Sequence, residues 1–168
     1  MKHILPILTI TTLAAAASAQ SAGASSGLSY NRVELSYQTN GTKGYALGAS
    51  ALVGSSNFLV GASTTLGGGT SNNGTDSVSL GYVFKNVALG ADAIVSVGSN
   101  EAYALDIRKD LGSNLEGSIG YARNSGVNSY SVGVAYNLPQ LQHYQIGVEY
   151  SKASGVTSQT TVVLRYNF

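Results

Sequence analysis

Ten stretches of this chain alternate apolar and polar residues with a period of two, and that repetition restricts the fold more than any motif does. A period of two marks extended strands, whose successive side chains point to opposite faces. The stretches run over 28–38, 44–54, 57–67, 76–85, 87–98, 101–110, 114–123, 128–138, 142–152 and 157–168. Between them stand Asn40-Gly41, Gly54-Ser55-Ser56-Asn57, Gly98-Ser99-Asn100, Gly112-Ser113-Asn114 and Asn124-Ser125-Gly126, all suited to tight hairpin turns. Ten consecutive strands joined this way form an antiparallel meander. Twenty-one glycines and two prolines argue further against helices.

The two phases differ in chemistry. One holds Tyr45, Leu47, Ala49, Ala51 and Val53 in the second stretch, and Val162, Leu164, Tyr166 and Phe168 in the last. Leu89 falls in the same phase of the fifth stretch and, like Leu47, is expected near the middle of the apolar face. This phase reads as free of charge, Lys109 near one rim excepted. The other phase carries Arg32, Glu34, Asp92, Asp106, Arg108, Glu116, Glu149 and Arg165 together with the small residues Gly48, Gly61, Ser63, Gly81, Gly90, Gly120, Gly133 and Gly147.

A soluble sandwich turns its apolar face to a core of large side chains. Here it would leave glycine and charge to water, where glycine only weakens a strand. The inside of a small closed barrel suits such a narrow lining better. Aromatic placement agrees: Phe58, Tyr82, Phe84, Tyr136, Tyr144, Tyr166 and Phe168 fall near one rim, and Tyr37, Tyr45, Tyr103, Tyr121, Tyr130 and Tyr150 near the other. Two aromatic belts around an aliphatic band characterise a transmembrane β-barrel, and each stretch is about the 9–11 residues that a tilted spanning strand needs.

The N-terminus reads as an export signal. A basic start, an apolar run over residues 4–16 and the small-residue site Ala17-Ser18-Ala19 predict a signal peptide over 1–19, a flexible leader over 20–26 and a barrel domain over 27–168. Losing Lys2 from nine basic residues leaves eight against eight acidic ones, so the exported chain is neutral. Neutrality gives no support to nucleic-acid binding. With no cysteine, disulfides are unavailable, and stability must come from strand pairing and packing.

The exported start, the even number of amphipathic strands and the final Tyr166-Asn167-Phe168 together resemble the small outer-membrane β-barrel proteins of Gram-negative bacteria, with no particular subfamily indicated. The resemblance implies an antiparallel up-and-down barrel of ten strands, eight being the alternative, with the first strand paired to the last. It also implies residence in the outer-membrane lipid; the oligomeric state stays open, with a monomer as the expectation. The export and barrel-assembly machinery would be its partners, with Tyr166 and Phe168 as the assembly signal.

Chemistry is sparse. Beyond the signal the one histidine, His143, falls at a rim, and no cluster of His, Cys or Asp has metal-ligand spacing. The inward charges read as a lumen network in which carboxylates and arginines satisfy one another. No cofactor is expected. Residues 66–74, the longest loop, lack the lysine and helix of a phosphate loop and offer little binding surface. The expected function is therefore a charged, plugged barrel in a structural or surface-interaction role. A narrow passive pore for ions or very small solutes is the alternative, and a membrane-embedded enzyme is third.

Overall fold

The computed structural model describes residues 28–40, 43–67, 76–99 and 101–168. The expected signal peptide, the leader and residues 68–74 of the longest loop lie outside the described residues. Ten strands follow one another: β1 (Arg32–Gln38), β2 (Gly44–Leu52), β3 (Phe58–Gly67), β4 (Asp76–Ala88), β5 (Ala91–Gly98), β6 (Ala102–Gly112), β7 (Leu115–Asn124), β8 (Val127–Asn137), β9 (Tyr144–Ala153) and β10 (Gln159–Asn167). Each pairs antiparallel with its neighbours in sequence, and β1 also pairs with β10, which closes the sheet. The eight-strand alternative is not what forms. Closure leaves no edge whose amides would lack partners in lipid.

Register carries the two phases right round the wall. Leu35 stands between Leu47 and Leu164, and Val148 between Val134 and Val162. Leu35, Leu80, Val95, Ile119, Val132, Val148 and Leu164 are exposed on the outer surface, so the large apolar side chains face away from the lumen. Aromatics gather at both ends of this band. At the end where residues 28–31 and Phe168 lie, Phe58 and Tyr82 meet edge to face at 5.2 Å, and Tyr166 lies 5.2 Å from Tyr144. At the opposite, loop end, Tyr37 and Tyr45 are 4.7 Å apart and Tyr121 and Tyr130 5.3 Å.

Three expectations need correcting. The first strand begins at Arg32, and residues 28–31 leave the ladder to enter the barrel. Leu89 is not at mid-wall and Gly90 does not line the lumen: β4 continues past an irregular register after Phe84, and Leu89 and Gly90 form the turn into β5, with φ of 53° and 75°. Positive φ at both central residues is the hairpin geometry whose twist matches the strands. The outward phase also holds Asp76, Arg123 and Lys152 besides Lys109, each close to a strand end, where a charged group reaches the aqueous boundary. Asp76 accepts a 2.6 Å hydrogen bond from Thr64 Oγ1.

Candidate functional site: the lumen

Small inward residues let the larger polar ones meet across the barrel. At Gly120 a Cβ would stand 2.6 Å from both Asp106 Oδ1 and Ser131 Oγ, so any side chain there would have to displace those two groups. Space freed this way is used unevenly, and the lumen has three levels.

The middle level is a chain of charged and amide groups. Glu116 on β7 is buried and accepts two hydrogen bonds from Arg108 on β6, from Nε at 2.8 Å and Nη2 at 2.9 Å. Such a two-pronged guanidinium–carboxylate pair is among the strongest polar contacts. Gln145 Nε2 on β9 donates to Glu116 Oε2 at 3.1 Å, and Gln145 Oε1 accepts from Arg165 Nη1 on β10 at 3.0 Å. Arg165 Nε donates to Glu34 Oε2 on β1 at 3.2 Å, and Arg32 Nε lies 3.7 Å from the same oxygen. The inward charges Arg32, Glu34, Arg108, Glu116 and Arg165 thus form one connected set. The neutral member that joins its halves, Gln145, carries no charge by which sequence reading could have singled it out; its inward phase was the only sign.

Asp92, Asp106 and Glu149 are placed differently. Asp92 is fully buried near the terminal mouth, where it accepts from the Tyr30 hydroxyl and, at 2.8 Å, from the Asn86 amide. Asp106 and Glu149 face the loop half of the lumen. Among the described residues no ion pair within 4.0 Å reaches either.

At the terminal mouth, residues 28–31 occupy the lumen. Tyr30 is 5% exposed and packs with Val83 and Ile94, joined by Leu28, Leu52 and Leu59. The Arg108 guanidinium carbon lies 5.1 Å from the centre of the Tyr30 ring, and its Nη1 donates to the Ser29 carbonyl at 3.0 Å. Ser50 Oγ donates to the Tyr30 carbonyl at 2.9 Å, the Leu52 amide to Asn31 Oδ1 at 2.9 Å and the Phe168 amide to the Asn31 carbonyl at 3.0 Å. Sequence reading took these residues as the start of the first strand. Phase was the missed signal: Leu28 and Tyr30 are apolar but share the inward parity of Arg32 and Glu34.

The loop half is open. A cavity of about 420 Å3 lies among Ser131, Ser151, Gln159, Asp106 and Glu149, and a second of about 260 Å3 continues from the same two carboxylates to Leu59, Ile94 and Arg108. No group of three or more His, Cys, Asp or Glu that could hold a metal ion occurs among the described residues. His143 is exposed just before β9, 5.9 Å from the Tyr166 ring, and its carbonyl accepts from the Asn167 amide at 2.7 Å.

No protein-family model and no curated protein sequence matches this chain. Among solved structures it is similar to KdgM porin in complex with disordered oligogalacturonate, with a TM-score of 0.53 and 13% identity over 82% of this chain and 99% of that one. It is similar to KdgM porin determined separately, with a TM-score of 0.52, again at 13% identity over 82% and 99%. The Acinetobacter baumannii outer membrane protein Omp33 aligns with a TM-score of 0.45 and 12% identity over 84% of this chain and all of that one. At such identity the likeness to KdgM porin is one of fold alone, that of a closed antiparallel β-barrel.

Proposed function

We propose that this chain is an exported, monomeric integral protein of the Gram-negative outer membrane, closed at rest, with a structural or surface-interaction role. The observation that carries this reading is the occupation of the terminal mouth: residues 28–31 pack there against Leu52, Leu59, Val83 and Ile94 and are bonded to Arg108, beside the connected side chains from Arg108 to Glu34. The continuous outward apolar band, with aromatics at both ends, supports residence in a bilayer. Planar-bilayer recording of refolded protein tests closure: the expected trace is silent, and steady conductance overturns the reading.

A second reading, a narrow pore for ions or very small solutes, is favoured by the open loop half and by the fold shared with a porin. Asp106 and Glu149 there would favour cations, because a narrow passage lined by one sign of charge concentrates its counter-ions. Export and barrel-assembly machinery are the proposed partners, with Tyr166 and Phe168 forming the assembly signal. Both rings sit at the terminal rim, stacked with centroids 6.4 Å apart.

A further inference from the structure

We propose that residues 28–31 are a displaceable plug, so that one barrel has a closed and an open state; the proposal rests on the membrane-spanning reading above. The ladder does not need this segment. Its first rung between the closing strands joins Arg32 to Asn167, and every strand is paired on both sides without residues 28–31. Residues 29 and 30 are held by the lumen side chains Ser50, Asp92 and Arg108, and Asn31, next to β1, by the Leu52 and Phe168 amides.

The wall has a surface made to receive it. The inward phase is mostly small or polar, with single valines at Val127 and Val163, whereas Leu52, Leu59, Val83 and Ile94 gather into one apolar patch, and Leu28 and Tyr30 cover that patch. The two charged residues that grip the plug also keep partners when it leaves. Arg108 uses Nη1 on the Ser29 carbonyl but holds Glu116 with Nε and Nη2. Asp92 accepts from Tyr30 through Oδ2 and from the Asn86 amide through Oδ1. Departure therefore strands neither charge, which is the usual obstacle to opening a buried polar site. The space released joins the 260 Å3 cavity directly, since Leu59, Ile94 and Arg108 line that cavity and also touch the plug.

The experiment is planar-bilayer recording in potassium chloride on the full chain and two variants, each first shown to migrate differently on gels with and without boiling. Tyr30→Phe removes one buried hydrogen bond and should produce intermittent openings that the silent parent lacks. Leu28→Ser combined with Tyr30→Ser removes the apolar contacts and should conduct continuously. If both variants fold and stay as silent as a closed parent, the plug proposal is overturned while the closed-barrel reading stands. A parent that conducts as much as the double variant overturns both. Should the double variant fail to form a heat-modifiable barrel while Tyr30→Phe is silent, the segment belongs to the fold and is no plug.

Discussion

The lumen arginines are not equivalent, and the difference lies in what each would leave behind. The side chains of Arg108 and Glu116 are 5% and 6% exposed, and each is the other's main partner. Glu116→Ala strands a buried guanidinium, and a cost of about 3–5 kcal/mol is expected. Arg165→Ala removes charge-assisted bonds to Glu34 and Gln145 at a partly exposed site, for a cost of about 1–3 kcal/mol. Among the described residues Arg32 makes only the 3.7 Å contact to Glu34 and leaves a buried Nη1 without a hydrogen-bond partner, so Arg32→Ala gives up little and is expected to cost about 0–1 kcal/mol. Urea titration of the three variants in one lipid system gives the order. An Arg32 variant weaker than the Glu116 variant would contradict the network as described.

At the level of strands and turns, the two leucines that the alternation set alike should part company. Leu47 lies mid-way along β2, opposite Leu35, on the outward face, and Leu47→Arg is expected to cost about 2–4 kcal/mol in lipid. Leu89 is 90% exposed in its turn, at a φ that disfavours a branched apolar residue. Leu89→Asn should therefore be neutral or stabilising by about 0.5–1 kcal/mol, as measured by the same titration. The contrast also indicates what was legible beforehand. Strands with a lipid-facing side announce themselves, because every second residue must be apolar; hence β2, β9 and β10 were placed within two residues at each end. The register irregularity after Phe84 is invisible to such a count, because it preserves composition while shifting phase, and it displaced Leu89. Residues 28–31 were misjudged for a related reason: a segment inside the barrel obeys the chemistry of the lumen wall, not the alternation of the wall itself. Asp92 was recognised as inward, but its partners Tyr30 and Asn86 come from outside the regular pairing, which no spacing rule covers.

For the molecule as a whole, closure predicts cooperative behaviour. With every strand paired on both sides, the folded protein should keep its strand circular-dichroism signal in detergent until heated, and should migrate differently on gels before and after boiling. A mainly helical spectrum would refute the fold. The proposed assembly signal is tested separately. Phe168→Tyr should reach the outer membrane at parental yield and Phe168→Asp should not, while both refold in detergent, because Phe168 lies beyond the last rung of the β1–β10 pairing. Equal yields of the two variants at equal expression would leave Phe168 a rim aromatic without a role in insertion.

The amide of Phe168 bonds to the carbonyl of Asn31, so the last residue of the chain touches the segment that fills the terminal mouth. This has a consequence in time. The seam joins residue 32 to residue 167, the most distant pairing the strands offer, and such a contact forms late because so much intervening chain must be ordered first. Sealing of the hole and completion of the wall then fall together at the end of assembly. A nascent chain that has not yet presented its final strand has no finished cylinder and lacks the Phe168 amide that ties Asn31 to the seam, and an interrupted intermediate has no finished passage through which the cell could leak.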